Sequence, residues 1–342
     1  MYMIKPGQKQ FKANLHCHST LSDGKLTPQQ LKAAYKEKGY SILAITDHEA
    51  PYDHTAMSDA DFLMLTGYEA YIREYPYQYP YASQVHLNLL AKDPHNITLI
   101  GYEAPSCKYI TPERIAELPK ASPAGHREYT VEYVNDFIRV ARENGYLVTY
   151  NHPVWSLETD EYIMGYEGCF SMEMCNYSSY LLNHLEYNGA LYDRMLRNGK
   201  WLYVHSADDN HNGYPFGHPK CDSFGGAAMI LADALCYDKV VEAMERGDMY
   251  STMGPVFEEV SFDGENVHVK CSDVAAIVCH CGSCNPTTAW AEEGKTINEA
   301  TLYVGKKAMY VRISICDSQG RYADTRAYSR EELGMPPRDT VD

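Results

Sequence analysis

The stretch that decides the fold is Asn14-Leu15-His16-Cys17-His18-Ser19-Thr20-Leu21-Ser22-Asp23-Gly24, at the end of a first predicted strand over residues 11–15. Side chains two residues apart point to the same face of an extended strand, so His16 and His18 are expected to face one cleft together. Asp23 follows in a Ser-Asp-Gly turn, which can fold a carboxylate back toward the two imidazoles. This combination favours a metal site, although an isolated His-x-His pair could also be a surface motif without a role.

Length and charge limit the possible classes of protein. The 342 residues exceed one average domain and suit a barrel of about 250 residues with a smaller module. With 46 acidic against 30 basic residues the formal charge is −16, which disfavours a general binder of nucleic acid or of anionic membranes. The first residues lack the apolar core of a signal peptide, and no run of about 18 apolar residues occurs. We therefore expect a cytoplasmic protein without a membrane partner.

The cysteines do not resemble a secreted disulfide framework. There are 11 of them, an odd number spread along the chain, so reduced thiols are expected. One cluster, Cys279-His280-Cys281-Gly282-Ser283-Cys284, raises the question of a zinc site. It has no second thiolate pair at the spacing of a zinc finger, and these residues could equally be small strand and turn residues.

Apolar β-rich runs alternate with helical patterns in the first 250 residues. Strands are predicted at 11–15, 41–46, 62–66, 84–91, 146–150, 169–174, 201–204 and 227–231. A first helix is predicted between an N-terminal cap at Thr27 and Gly39. Further helices are predicted over 130–144, 178–197 (with a break possible at Gly189) and 237–246. The tyrosine-rich stretch 71–81 is expected to be a loop that contributes aromatic walls to a pocket.

Residues able to bind metal follow these predicted strands. They are His16, His18, His48, Glu69, His152, Asp209 and His211. In a parallel β/α barrel the carboxyl ends of the strands converge on the face that holds active sites, so residues about 200 positions apart would meet there. Histidines scattered through a core would not show this bias, which therefore predicts one metal cluster.

Three segments, in order, resemble the motifs of the polymerase and histidinol phosphatase family, called PHP. They are His16-Cys17-His18 through Ser22-Asp23-Gly24, Thr46-Asp47-His48, and Asp209-Asn210-His211. Glu69 and Asn151-His152-Pro153 fall where that family places its intervening ligands. The resemblance covers about the first 250 residues and implies a distorted, seven-stranded, TIM-like β/α barrel with two to three divalent metal ions.

The resemblance also implies how the ligands divide. His16, His18, Glu69 and Asp209 would hold a first metal, Glu69, His86 and His152 a second, and Asp23, His48 and His211 a third. Glu69 would then bridge the first two metals. Mixed imidazole and carboxylate ligands suit zinc, manganese or iron.

Some of these assignments have competitors. His86 matches by position more than by motif and could simply pack in its strand. Glu103 lies in a second Gly-Tyr-Glu and competes with Glu69, while Asp208 competes with Asp209 but lacks the Asp-x-His spacing. His205 is close enough to reach a substrate, or could pack at a strand end. We take Glu69, Asp209 and His205 as candidate catalytic residues. Asp47 is expected to orient a neighbouring imidazole or the loop.

The expected function is a metal-dependent phosphoesterase. Clustered cations would neutralise the anionic oxygens of a small phosphorylated metabolite or nucleotide, and a metal-bridging hydroxide would attack phosphorus. Alternatives are a PHP-type exonuclease, a metal-stabilised binding module without catalysis, and an amidohydrolase with a similar barrel. Arg127 and Lys108 could clamp a phosphate or serve only as solvated surface residues. Neither the substrate nor the oligomeric state follows from the sequence.

Helical periodicity ends near residue 251. Beyond Ser251-Thr252-Met253-Gly254-Pro255 the pattern predicts a hairpin over 256–262 and 267–271 and strands over 300–304, 309–316 and 321–328. We therefore divide the chain into a barrel over 1–250, an all-β, sandwich-like module over 251–335, and a polar, disordered tail over 336–342.

Overall fold

Side-chain caps at Thr27, Thr111, Thr130 and Asn176 mark the beginning of four α-helices. In the computed structural model, which describes residues 1–340, the α-helices are α1 Pro28–Glu37, α2 Pro112–Glu117, α3 Val131–Glu143, α4 Asp160–Gly165, α5 Tyr177–Asn183, α6 Gly189–Arg197 and α7 Tyr237–Arg246. Thr27 caps α1 in a capping box, because its side chain accepts from the Gln30 amide while the Gln30 side chain accepts from the Thr27 amide. The predicted helix 178–197 is broken before Gly189, where α6 begins.

The strands fall into a first group up to residue 252 and a C-terminal group. The first group is β1 Tyr2–Ile4, β2 Phe11–Asn14, β3 Ile42–Ala44, β4 Leu63–Leu65, β5 Gly67–Arg73, β6 Gln84–Ala91, β7 Leu99–Ile100, β8 Lys120–Ala121, β9 Tyr146–Asn151, β10 Ser171–Asn176, β11 Tyr203–Ala207, β12 Ala227–Ile230 and β13 Met249–Thr252. The second is β14 Phe257–Phe262, β15 Asn266–Val274, β16 Ala276–His280, β17 Thr287–Trp290, β18 Ile297–Tyr303, β19 Tyr310–Cys316, β20 Tyr322–Thr325 and β21 Tyr328–Ser329. The fold is therefore mixed α/β with a β-rich C-terminal region.

Two open sheets carry the strands next to the predicted site. One has the order β11-β10-β9-β6-β5, and the other runs β17-β16-β19-β20-β13-β12-β2-β3-β4 with β21 beside β19. A closed barrel is not confirmed. The expectation of uniformly parallel strands is wrong for β6, which pairs antiparallel with both β5 and β9, and for β12, which pairs antiparallel with β2. Because the short segment 74–83 joins β5 to β6 as a hairpin, their antiparallel pairing follows from the connection.

The C-terminal strands have a core of their own. Strand β1 pairs with β14 and joins a four-stranded sheet, β1-β14-β15-β18. One buried apolar cluster takes side chains from this sheet and from the larger one, including Val260, Val269, Ile313 and Ile315. The division at residues 250 and 251 stays a prediction. Of the predicted tail 336–342, residues 338–340 form a 3-10 turn, and residues 341 and 342 lie outside the described residues.

In the described part of the chain the cysteines form no second candidate metal site, and no helix qualifies as a membrane span. All 11 cysteines are free thiols. Within residues 1–340 no cysteine belongs to a group of three or more potential metal ligands, so the cluster at 279–284 provides strand and turn residues. No α-helix in the same residues combines the length and apolarity needed to span a bilayer.

A buried arginine ties α6 to the C-terminal strands. Arg312 on β19 is 1% exposed, and its Nε and Nη2 atoms each lie 2.7 Å from a carboxylate oxygen of Asp193 on α6. Its Nη1 atom lies 3.2 Å from the Asp324 carboxylate on β20. Removing one partner of such a buried network leaves the other charges uncompensated.

We expect Arg312→Gln to lower the free energy of unfolding by about 3–5 kcal/mol, because the buried Asp324 and the partly buried Asp193 would lose their cation. Urea unfolding followed by circular dichroism measures the change. The matched control is Arg139→Gln, which removes an exposed arginine paired with Asp136 and Glu143 on α3 and should cost less than about 1 kcal/mol. Equal effects of the two substitutions would contradict the role given to Arg312.

Candidate metal centre

The loop that follows β2 is held so that two histidines face inward. Asp47 accepts hydrogen bonds from the Ser19 amide at 2.8 Å, from the Ser19 hydroxyl at 2.6 Å and from the Ser22 hydroxyl at 2.5 Å. A Cβ atom on Gly24 would lie 2.3 Å from the His18 carbonyl oxygen, so the turn requires glycine. Asp47 thus orients the loop, one of the two roles expected for it.

The first predicted ligand group is brought together. The Nε2 atoms of His16 and His18 lie 3.2 Å apart, and Asp209 Oδ1 is 3.1 Å from the first and 3.0 Å from the second. Glu69 Oε1 lies 3.2 Å from His16 Nε2. His16, His18 and Glu69 are at most 1% exposed and Asp209 is 9% exposed. Four ligating side chains from widely separated parts of the chain therefore face one point.

The second predicted group surrounds the same glutamate. Glu69 Oε1 lies 3.0 Å from His86 Nδ1 and 3.4 Å from His152 Nε2. Its Oε2 atom lies 2.9 Å from His48 Nδ1 and 3.5 Å from His18 Nε2. Because its two oxygens face different imidazoles, Glu69 has the geometry that a bridging ligand needs.

The third predicted group lies at the mouth of the site. Asp23 lies 3.7 Å from His48 and 3.4 Å from His211. His18 joins them through its Nδ1 atom, 3.9 Å from Asp23 Oδ1, and one potential ligand atom from each of the four side chains falls within 4.8 Å of the others. The sequence assigned His18 only to the first group.

The antiparallel direction of β6 explains how His86 reaches this rim. In the sheet register His86 stands opposite Tyr71 on β5 and Asn151 on β9. Because β6 runs opposite to these neighbours, its beginning lies beside their carboxyl ends. His86 is thus part of the cluster, and the alternative of a histidine merely packed in a strand is not what the geometry shows.

Buried lone pairs without partners indicate that the cluster fits cations. The atoms His18 Nδ1, His48 Nδ1, Glu69 Oε2, His86 Nε2 and Asp209 Oδ1 are buried and make no hydrogen bond. An unpaired buried polar atom costs about 1–3 kcal/mol, and several pointing at one another repel as well. A divalent cation accepts lone pairs from nitrogen and oxygen together, so it would relieve both penalties.

Burial and charge move the pKa values of the imidazoles in opposite directions. Burial lowers the pKa of His18 and of His86 to about 4. Burial also disfavours protonation of His152 and His211, but nearby carboxylates outweigh it and raise the pKa of each to about 9. Burial raises the pKa of each acid, but the surrounding histidines prevail and keep the pKa low in Asp23, Glu69 and Asp209. At neutral pH the site without cations would therefore hold ionised acids and some protonated imidazoles.

Glu173 is a site residue that the sequence analysis missed. On β10 and 0% exposed, it accepts a hydrogen bond from His16 Nδ1 at 2.7 Å and from the His152 amide at 2.9 Å. A carboxylate behind a ligating histidine fixes the ring and leaves its other nitrogen free to bind metal. The available signal was an acid one residue before the end of the predicted strand 169–174.

The two competing acids serve structural roles. Asp208 accepts hydrogen bonds from the Tyr35 hydroxyl at 2.6 Å and from the amides of Gly225 and Gly226 at 2.9 and 2.7 Å. Glu103 accepts one from the Arg127 amide at 2.8 Å. Neither belongs to a potential ligand group.

The three other candidate residues, His205, Arg127 and Lys108, differ in whether they face the cleft. His205 is 0% exposed, its Nδ1 atom lies 2.8 Å from the Ser171 hydroxyl, and it does not line the cleft beside the cluster. Its catalytic role stays a prediction. Arg127 is neither solvated nor free for phosphate, because its buried guanidinium binds both oxygens of Glu49 at 2.5 and 2.9 Å. Lys108 does line the cleft.

Residues 14–151 match the model of the PHP domain family, which confirms the resemblance seen in the sequence. None of the curated proteins compared with the chain matches it.

Three solved structures are similar at low identity. A two-domain protein from Bacteroides vulgatus, described as containing a predicted PHP-like metal-dependent phosphoesterase, is 15% identical over 95% of this chain and 98% of that chain, with a TM-score of 0.45. A provisionally named metal-dependent phosphoesterase from Bifidobacterium adolescentis is 17% identical over 64% and 93%, with a TM-score of 0.36. An amidohydrolase from Chromobacterium violaceum with bound sulfate and no metal is 18% identical over 60% and 90%, with a TM-score of 0.38. This similarity is too low to transfer an activity.

We expect Glu173→Gln to weaken metal binding by about 10- to 100-fold, because an amide orients His16 less firmly than a carboxylate. Equilibrium dialysis against Mn²⁺, with metal measured by mass spectrometry, tests this. The control Glu167→Gln changes an exposed glutamate four residues before β10 and should leave affinity unchanged. Unaltered affinity in the Glu173 variant would show that this carboxylate does not support the site.

Metal affinity should rise with pH between 6 and 9. His152 and His211, with pKa values of about 9, are protonated at pH 7 and must lose protons before they can bind a cation. Calorimetric Mn²⁺ titrations in two buffers of different ionisation enthalpy should therefore reveal at least one proton released per protein at pH 7. The same apparent affinity at pH 6 and pH 8.5 would contradict the protonation pattern.

Proposed function

We propose that this chain, whose residues 14–151 match the PHP domain, is a metal-dependent hydrolase that cleaves a phosphate ester of a small metabolite or nucleotide. Seven of the nine potential ligands line one cleft, and five carry a buried atom without a hydrogen bond. The observation that supports the proposal most directly is the convergence of these nine residues in four overlapping groups. Those residues are His16, His18, Asp23, His48, Glu69, His86, His152, Asp209 and His211.

The donor set matches the chemistry of ester hydrolysis. Zinc, manganese or iron ions in such a site would neutralise phosphate oxygens and acidify a water molecule that serves as nucleophile. Glu69, with an oxygen toward each neighbouring group, and Asp209, beside His16 and His18, would hold two to three cations close together. In the overall reaction water adds to phosphorus, the bond from phosphorus to the ester oxygen breaks, and that oxygen leaves with a proton as an alcohol.

The same proposal includes the architecture. Strand β4 leads directly into β5, and β11 packs beside β12 and β13, so each edge of the five-stranded sheet lies next to strands of the larger sheet. We propose that these strands form the distorted seven-stranded barrel over residues 1–250, with 251–335 as a β module beside it. The charge of −16 supports a small phosphorylated substrate more than a nucleic acid.

Purified protein loaded with Mn²⁺ or Zn²⁺ should release phosphate from a panel of sugar phosphates and mononucleotides. His18→Ala and Asp209→Ala should each lower the rate by at least about a thousandfold, because both side chains serve the first metal group. The measurement is a phosphate-release assay together with metal content.

The matched control is His268→Ala, which removes an exposed histidine paired with Asp263 on the C-terminal strands. Its activity should equal that of the unaltered protein. Full metal occupancy without turnover of any ester would refute the proposal, and cleavage restricted to oligonucleotides would replace it with a nuclease.

A further inference from the structure

An arginine without an acidic partner stands at the mouth of the metal cleft. Glu69, Tyr71 and Arg73 lie two residues apart on β5 and so share one face of the strand. The Arg73 guanidinium carbon lies 3.8 Å from the centroid of the Tyr71 ring and 4.5 Å from that of Tyr77. Tyr71 in turn packs against His86, with ring centroids 5.7 Å apart. The Tyr71 ring alone thus separates Arg73 from the cluster of potential metal ligands.

The hydrogen bonds of Arg73 leave most of its guanidinium free. Its Nε atom donates to Gln84 Oε1 at 3.1 Å, and within the described residues its two Nη atoms form neither a hydrogen bond nor an ion pair. Arg127 and Arg312, whose guanidinium groups are buried, each bind a carboxylate through two nitrogens. In a chain with 16 more acidic than basic residues, an unpaired arginine in a cleft is suited to a ligand anion.

Aromatic rings line the same cleft. The cavity of about 420 Å³ is bounded by ligands of the cluster and also by Arg73, Tyr77, Tyr79, Lys108 and Trp155. The Trp155 ring lies 5.0 Å from the His152 ring and 5.8 Å from the His86 ring, measured between centroids. Tyr79 is 69% exposed. Such faces bind planar rings by stacking, and they tolerate different rings.

The loop that carries these tyrosines is tied to a ligand loop. The Gln84 amide donates to the Ser156 carbonyl oxygen at 3.1 Å, and the Ser83 hydroxyl donates to the Leu157 carbonyl oxygen at 3.1 Å. The segment 74–83 therefore stays beside the loop that holds His152 and Trp155. The potential metal ligands, the free arginine and the aromatic wall line one continuous cleft.

We propose that this cleft selects phosphate esters whose alcohol carries an aromatic ring, such as aryl or nucleoside phosphates. Arg73 binds an oxygen of the phosphate group from the outer side, with Lys108 as a second cation, while Tyr77 and Trp155 stack on the ring. This inference rests on the proposed function and adds a substrate class to it. Arg73 is then a binding residue that determines specificity.

Binding of non-hydrolysable phosphonates tests the inference without turnover. Calorimetry on the Mn²⁺-loaded protein should show that phenylphosphonate binds at least about tenfold more tightly than methylphosphonate, because only the first can stack. Arg73→Gln should weaken phenylphosphonate binding about tenfold, and Arg73→Lys should weaken it less. The matched control is Arg114→Gln, which removes an arginine that lies over the Tyr52 ring at 5.2 Å and outside the cleft.

Kinetics then separate a binding role from a structural one. For p-nitrophenyl phosphate, Arg73→Gln should raise KM about tenfold while kcat changes by less than about threefold and Mn²⁺ content stays constant. Trp155→Leu should lower kcat/KM for p-nitrophenyl phosphate more than for glycerol phosphate. Equal kcat/KM values for the two esters, with no effect of Arg73→Gln, would overturn this inference and leave the phosphoesterase proposal standing. Phosphonate binding that depends on Arg73, without hydrolysis of any ester, would overturn the phosphoesterase proposal and keep the binding site.

Discussion

The whole site depends on the free-energy cost of gathering imidazoles and carboxylates in one buried place. Two imidazole nitrogens, on His16 and His18, face each other at 3.2 Å, and carboxylate oxygens of Glu69 and Asp209 crowd the same point. Proteins do not bury such donors together without compensation, because each lost hydration shell costs free energy. Cations supply that compensation, so metal binding and folding of this rim are expected to be thermodynamically linked.

The backbone also contributes to the site. Asp209 and His152 adopt positive φ angles of 51° and 25°, which are unfavourable for residues with a Cβ atom. Both positions are held by surrounding contacts: the Asp209 amide donates to the His16 carbonyl oxygen at 2.9 Å, and the His152 amide donates to Glu173. Two of the eight described non-glycine residues with positive φ are therefore predicted ligands, and the buried Glu173 stabilises one of them directly.

The sequence predicted which residues converge better than it predicted the sheets that carry them. Residue type and strand-end position were sufficient for His16, His48 and His211, because local periodicity places them and the chemistry of the ligands restricts the choice. The direction of β6 could not be predicted from an apolar run, since pairing depends on contacts far along the chain. Arg127 looked like a solvent-exposed loop residue, because its partner Glu49 lies 78 positions away in the sequence. Glu173 and Arg73 lacked a motif, and only their neighbours in three dimensions reveal what they contact.

The pairing of strand β13 determines what truncation of this protein would expose. It pairs with β12 on one side and with β20 on the other, so a single hydrogen-bonded ladder continues from the metal-bearing half into the C-terminal half. Removing everything after residue 252 would strip β13 of a neighbour and leave its backbone amides and carbonyls facing solvent. An exposed strand edge of this kind can form hydrogen bonds with a strand of another chain. The C-terminal strands thus act as a protective cover, and a shortened protein is apt to self-associate even if its cleft remains intact.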